Sequence, residues 1–207
     1  MDVTIIGTGN MARGIAGRAL AGGHAVTLLG TEKAKADALA AELPGDVGAG
    51  QVGDPLAGDV IVFAVWYQAV SDLLARYGDQ LDGKVVVDIT NPVDTETYAP
   101  LDIEAGSVAQ EIAAAAPGAR VVKAFNTTFA GTLLDGEVAG QPLDVFLASD
   151  DEDAKRAVGQ LAGDGGMRAI DVGPLALAHH LEAVGYVNMA IQPGLGTNYG
   201  SAIKVLA

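Results

Sequence analysis

Cysteine is missing from the chain altogether, which excludes a disulfide framework, thiolate zinc sites and thiol redox chemistry. Any electron transfer must therefore run through a bound cofactor. Positive charge is scarce as well: 12 lysines and arginines stand against 26 aspartates and glutamates, for a formal net charge of −14. Nucleic acids and anionic membranes both require a basic footprint, so neither is expected as a partner. The apolar runs all break well short of the roughly 20 residues needed to cross a bilayer, and no basic, hydrophobic leader is read at the start. The expectation is a soluble, cytoplasmic protein. No catalytic triad, paired-carboxylate motif or metal-ligand spacing stands out, so no metal and no acid–base machinery is expected.

Glycine, in contrast, is abundant, with 28 among 207 residues. The stretch "VTIIGTGNMARGIAGRAL" from Val3 sets Gly7, Gly9 and Ala12 at the G-x-G-x-x-G/A spacing, directly after an apolar run and at the start of a helical pattern. Gly7 permits a tight turn, Gly9 lets a pyrophosphate approach the backbone, and Ala12 lets helix and strand pack closely. The free N–H groups of Asn10 and Met11 at the helix start then face the phosphates. Gly22–Gly23 leads into a second apolar run, "HAVTLL", which completes a βαβ unit and points to a dinucleotide site.

Downstream, "VGAGQV", "DVIVFAV", "KVVVDIT", "RVVKAFN", "LDVFLAS" and "MRAIDVG" read as strands. Helices are expected near Lys33–Leu43, Gln68–Tyr77, Ser107–Ala116, Asp151–Leu161 and Leu175–Ala190. Fully apolar strands such as Val60–Val65 and Val85–Val87 imply a sheet covered on both faces. The fold class is therefore α/β, a doubly wound, mostly parallel sheet of the NAD(P)-binding Rossmann kind, with a short C-terminal helical appendage. Residues 1–172 form the expected dinucleotide-binding domain. Residues 173–207 are expected to form a helix and tail that complete the cleft and supply the dimer interface. The acidic run Asp150–Asp153 reads as helix capping.

The motifs "IIGTGNMARG", "VVVDITNPV", "VVKAFNTTFA" and "AIDVGPLALAHHLEAVGYVNMAI", taken in this order, resemble the family of coenzyme F420-dependent NADP oxidoreductases along nearly the whole chain. "VVKAFNT" also resembles the cytosolic NADPH-binding domain of six-transmembrane ferric reductases. Pyrroline-5-carboxylate reductases share the "GNM" opening but add a helical dimerisation domain. The resemblance implies hydride transfer between a nicotinamide and a deazaflavin stacked face to face, with no catalytic side chain and with the protein supplying orientation and water exclusion. It implies that Gly7, Thr8, Gly9, Asn10 and Met11 hold the pyrophosphate, with Thr8 close to the nicotinamide half. Val65 and Trp66 beyond the fourth strand, Asn91–Pro92, and Asn126–Thr127 are further cofactor-binding candidates at strand ends on the same edge.

The second strand ends at Leu29–Gly30, with no carboxylate to hold a ribose diol. Thr31, Lys33 and Lys35 follow as candidates for the 2′-phosphate, opposed by Glu32. NADP is the expected cofactor and NAD the alternative, because lysine lacks the bidentate fork of arginine. His179 and His180 read as structural or exposed residues. Arg13, Arg18, Arg120, Lys123 and Arg168 are the remaining cations available to an F420 tail. In the last helix, Leu177, Leu181, Val184, Val187 and Ile191 fall along one side, and this apolar face implies a homodimer. Three functions stay open: a hydride transfer between NADP(H) and coenzyme F420, an NADPH-dependent reductase of a flavin, quinone or ferric chelate, and a non-catalytic NADP(H)-sensing module.

Overall fold

The structure is a computed structural model and describes residues 1–206. The chain runs β1 (Asp2–Ile6), α1 (Asn10–Ala21), β2 (Ala25–Gly30), α2 (Lys33–Glu42), β3 (Gly48–Gln51), β4 (Val60–Phe63), a 3₁₀ turn at Tyr67–Ala69, α3 (Val70–Tyr77) and β5 (Val85–Asp88). It continues through α4 (Val108–Ala115), β6 (Arg120–Lys123), α5 (Ala130–Asp135), the two-residue strands β7 (Glu137–Val138) and β8 (Gln141–Pro142), β9 (Asp144–Ala148), α6 (Glu152–Asp164), β10 (Arg168–Gly173) and α7 (Ala178–Leu195).

The large sheet has the order β10-β9-β6-β5-β4-β1-β2-β3. Its inner part, read from β3 to β6, is the 3-2-1-4-5-6 order of a dinucleotide-binding fold. All pairings are parallel except β6 with β9, which meet antiparallel at Lys123 and Ala148. The doubly wound reading of the apolar runs is visible residue by residue. Ile5, Val62, Val85, Val87 and Val122 pack into one buried cluster with Ala12, Ile15 and Ala16 of α1. Their strand neighbours Ile6, Ile61, Phe63, Val86 and Val121 pack into another with Val70, Leu73, Val108 and Ile112 of α3 and α4. A continuous apolar run is what a strand covered on both faces requires.

The acidic run does cap its helix. The Asp151 side chain accepts from the Ala154 N–H at 2.8 Å, with Glu152 and Asp153 in the first turn of α6. Helix α5 and the β7–β8 hairpin have no counterpart among the expected elements. Six residues with one apolar pair, Leu133 and Leu134, leave no helical period to read.

The last helix does not carry the expected single apolar stripe. Its buried face carries Ala178, Leu181, Glu182, Gly185, Asn188 and Gln192, so half of the inward residues are polar. Val187, Ile191 and Leu195 are 55 %, 45 % and 52 % exposed. Leu181 is buried and does not share their side. The expected single stripe from Leu177 to Ile191 is thus divided between two faces, because α7 docks through the hydrogen bonds of Glu182 and Asn188 as well as through Ala178 and Leu181.

The tail after α7 folds back across the domain. Tyr199 packs edge-on against Phe129, with centroids 5.2 Å apart. Lys204 Nζ and the Val205 N–H reach the buried Asp144 carboxylate at 2.9 and 2.8 Å, where Arg168 also donates two bonds. Burial alone would push the Asp144 carboxyl up. The bonds from Arg168, Lys204 and Val205 outweigh it and hold the pKa at about 2 against 3.8. A depressed carboxylate contributes stability that is present above its unfolded pKa and lost as pH falls through the folded one. Denaturant titrations of wild type should therefore lose about 2 kcal/mol between about pH 5 and pH 2 from this site alone. Asp144→Asn should be less stable at pH 5 and should show a flatter acid limb.

Candidate functional site

The carboxyl ends of β1, β4, β5 and β6 open onto one edge. At β1 the chain turns through Gly7, whose φ of +131° suits only glycine and whose hypothetical Cβ would lie 2.2 Å from the Ala64 carbonyl oxygen. The strand and the β4 loop are therefore in direct backbone contact. Gly9 precedes α1 with an extended backbone, no side chain caps the helix, and no acidic residue occupies its first turn. A Cβ at Gly9 would meet nothing within 4 Å. Open space above an uncapped helix start is the shape a phosphate needs. Thr8 sits half-buried beside it, and Asn10 is exposed. Ala12 is fully buried. A second small residue, Gly14, lets α1 approach α5: its Cβ would lie 2.7 Å from Leu133 Cβ.

At the end of β2, a Cβ on Gly30 would lie 3.0 Å from Thr8 Cγ2 and 2.8 Å from the Glu32 carbonyl oxygen. The position that often bears a ribose-binding carboxylate is thus sterically closed to any side chain. Thr31 is exposed and its carbonyl accepts from Gln51 Nε2. Lys33 and Lys35 are exposed and already paired, Lys33 with Asp37 and Lys35 with Glu32 at 2.6 Å. Exposed pairs of this kind are weak and can be exchanged for a phosphate.

On the other half of the edge the expected residues converge closely. Asn126 Nδ2 donates to Asn91 Oδ1 at 2.9 Å and to the Leu181 carbonyl at 2.7 Å, while Asn91 Nδ2 donates to the Asn126 carbonyl at 2.8 Å. The turn that permits this starts at Phe125, a buried residue with φ +59°. Non-glycine residues held in that region cluster at functional sites. Thr127 gives its carbonyl to Asn188 Nδ2 at 3.0 Å, and Pro92 is buried, its carbonyl accepting from Leu101 N. Both therefore shape the site through the backbone. Val65 is half-buried and Trp66 is 55 % exposed at the β4 end of the edge. Thr90 Oγ1 and Asn126 Oδ1 are buried and have no partner within the chain, so the same stretch of edge retains unused hydrogen-bonding capacity.

The cations considered for a second-substrate tail are engaged elsewhere. Arg13 pairs with Glu42, Arg120 with Asp151, and Arg168 with Asp144. Arg18 donates to the carbonyls of Leu134, Asp135 and Gly165. Lys123 is fully buried among carboxylates. His179 and His180 are exposed, as expected. Among the described residues, no group of three or more His, Asp and Glu could hold a metal ion, and no helix is long and apolar enough to cross a membrane.

The edge therefore presents an uncapped, open helix start after β1, a side-chain-free turn at β2, and a polar wall at β5 and β6. Residues 2–92 match the family model described as NADP oxidoreductase, coenzyme F420-dependent. The F420-dependent NADP reductase of Methanothermobacter thermautotrophicus is 32 % identical over 202 residues, covering 89 % of this chain and 86 % of the relative. The chain belongs to this family. A structure from Arthrobacter sp. FB24, provisionally described as an F420-dependent NADP reductase, superposes with a TM-score of 0.86 at 27 % identity and covers 99 % of both chains. The metalloreductase STEAP3 of Rattus norvegicus is 30 % identical over 182 residues. Those residues are 88 % of this chain and 36 % of the metalloreductase, so the chain spans about a third of that relative.

The residues that the sequence reading missed are those holding this family member's polar wall from behind. Glu182, Gly185, Asn188 and Gln192 lie at helical spacing on α7. A Cβ at Gly185 would lie 2.6 Å from Asn91 Oδ1 and 2.9 Å from the Asn126 carbonyl. Their signal was a small-and-polar stripe inside an otherwise apolar helix. Asp88 and Lys123 end two apolar strands with opposite charges, and their Cα atoms are register partners.

Proposed function

We propose that this chain transfers a hydride between NADP(H) and the deazaflavin coenzyme F420. The observation that carries the reading is the open, uncapped turn at Gly9 on the same sheet edge as the Asn91–Asn126 wall, in a chain whose relative over 202 residues is an F420-dependent NADP reductase. When bound, the nicotinamide and the deazaflavin supply the redox chemistry themselves. Gly7–Met11 bind the pyrophosphate through backbone N–H groups and the positive end of α1. Thr31, Lys33 and Lys35 receive the 2′-phosphate. Asn91, Asn126, Thr127, Val65, Trp66 and Pro92 orient the reacting rings and exclude water from them. Residues 1–172 hold the dinucleotide, and residues 173–207 complete the cleft, a division supported by the contacts of α7 with Asn126 and Thr127.

Anaerobic mixing of the protein with NADPH and oxidised F420 tests the proposal. Loss of the deazaflavin absorbance is expected, and its absence at every pH would overturn the reading. The similarity to a metalloreductase favours a second reading, with a flavin or ferric chelate as acceptor at the same site. Parallel assays with those acceptors separate the two, and tight binding of both redox forms without any turnover would leave only a sensing module.

NADP selectivity has its own test. Thr31→Ala combined with Lys35→Ala should weaken NADPH about ten-fold or more while leaving NADH within about two-fold, by analogy with the loss of one or two hydrogen bonds to a charged group. Equal losses would remove this turn from the phosphate site.

The exposed stripe Val187, Ile191 and Leu195 on α7 supports a homodimer, because apolar side chains in a row along one helix call for a cover. Sedimentation should then give twice the chain mass of 20.9 kDa, and Ile191→Glu should halve it. A wild-type species at the single-chain mass would exclude the dimer.

A further inference from the structure

Lys123 at the end of β6 is fully buried, and its ammonium has three partners: Asp88 Oδ2 at 2.8 Å, Glu182 Oε1 at 2.7 Å and the Thr90 carbonyl at 2.6 Å. An ammonium has three donors, and all three are used. Asp88 Oδ1 accepts from the Thr90 N–H at 2.9 Å, and Glu182 Oε1 accepts a second bond from the Val108 N–H at 3.0 Å. One cation thus faces two carboxylates with hardly any solvent contact. With both carboxylates ionised, the cluster carries one excess negative charge.

Its place in the fold gives that charge a use. Asp88 is three residues before Asn91, and Lys123 is three before Asn126. Three residues of extended chain span at most about 10 Å. In a sheet of this order one mononucleotide half of a dinucleotide lies over β4, β5 and β6, on the opposite side of β1 from β2 and β3. The 2′-phosphate turn occupies the β2 side, so the nicotinamide belongs to the β4–β6 side. The nicotinamide ring is the part of the cofactor whose charge changes: it is a cation in NADP+ and neutral in NADPH.

We propose that the Asp88–Lys123–Glu182 cluster is a fixed counter-charge that favours the oxidised dinucleotide over the reduced one, with Glu182 as the member supplied by α7. The inference rests on the dinucleotide reading above. It predicts that α7 contributes to the bound redox equilibrium without touching the cofactor. The charged and titratable groups facing Glu182 are Lys123 from β6, Asp88 from β5 and Tyr67 from the 3₁₀ turn, whose hydroxyl donates to Glu111 of α4. Burial pushes the Glu182 carboxyl up, while Lys123 opposes that shift and Asp88 adds to it. The comparison therefore belongs at about pH 8, above the ordinary carboxylate range.

The experiment is calorimetric titration of wild type and Glu182→Gln with NADP+ and with NADPH, without a second substrate. Glutamine keeps an acceptor for Lys123 and Val108 and removes one charge. Glu182 adjoins Leu181, whose carbonyl accepts from Asn126; for a ring on that wall at a separation on the order of 10 Å, one unit charge in an effective dielectric of about 20–40 corresponds to a change of about four- to seventeen-fold. The ratio Kd(NADP+)/Kd(NADPH) should rise by that factor. Asp153→Asn, on the exposed first turn of α6, should leave the ratio unchanged. Asp88→Asn removes the same charge from the β5 side and replaces the first variant if Glu182→Gln does not fold. A ratio within two-fold of wild type in a folded variant, an equal loss for both forms, or an equal shift in Asp153→Asn overturns the counter-charge. Failure of wild type to bind either dinucleotide would instead overturn the function proposed above.

Discussion

Gly9→Asp is expected to lose NADPH binding by about a thousand-fold while keeping, or slightly raising, its melting temperature. A carboxylate placed about 4 Å from a phosphate, at an effective dielectric of about 20, costs about 4 kcal/mol, which is nearly three powers of ten. The fold should not suffer, because Gly9 has φ −82° and ψ −175°, an ordinary extended conformation, and its Cβ direction is open. Aspartate is in addition a favoured residue at this position. It can accept from the free N–H groups of the first turn and, relative to glycine, contribute roughly a few tenths of a kcal/mol to the helix. The two effects have one cause, since those donors cannot serve a side chain and a pyrophosphate together. Calorimetry and a thermal melt on the same sample give both readings. Retained affinity, or a large fall in stability, would remove Gly9 from the site.

The same glycine shows why the first half of the fold was legible in the sequence. Gly7, Gly9 and Ala12 each meet a local demand: a φ of +131°, an unobstructed approach, and a fully buried contact. Local demands leave local signals. The strands were legible for a related reason, as Ile5 and Ile6, or Val86 and Val87, must both be apolar when a sheet is covered on both faces. The last helix obeyed a different rule. Its apolar residues suggested one aliphatic stripe for a partner subunit to cover, and the residues that take the interior, Glu182, Asn188 and Gln192 among them, were not read as an inward face. Their partners are Lys123, the Thr127 carbonyl and Ser201, of which the first two lie more than 50 positions earlier in the chain. Such pairings have no period and no spacing to read. The basic residues were misjudged in the same way: Lys123 looked available to a substrate tail, and only the register of β5 beside β6 shows Asp88 next to it. The pairing of Asn91 with Asn126 likewise depends on Phe125 adopting a left-handed backbone, which no pattern of residue types announces for phenylalanine.

Lys123→Met is expected to destabilise the protein by about 3–5 kcal/mol at pH 8, the cost of leaving buried charge without its partner. The side chain of Lys123 is 0 % exposed, as is Asp88, and Glu182 is 6 % exposed. Methionine fills much of the same volume, so the loss comes from the two carboxylates left facing each other and not from a cavity. This attribution has a consequence in pH. With the ammonium gone, the folded state should take up a proton on the pair more readily than the unfolded chain does. A group whose folded pKa is raised loses stability as pH climbs through it, so the variant should recover on moving from about pH 8 to about pH 5. A packing defect would show no such recovery. Adding Glu182→Gln to Lys123→Met should restore a large part of the loss at pH 8, a coupling that independent sites would not give. Because the bond from Lys123 to Glu182 ties α7 to the strand ends, the single variant should also expose the amides of α7 to hydrogen exchange before those of β1, β4 and β5. Urea denaturation at the two pH values checks the energy, and exchange measurements check the order of opening. A loss below about 1 kcal/mol, or a loss independent of pH, would mean that the cluster is not ionised as its three lysine bonds imply.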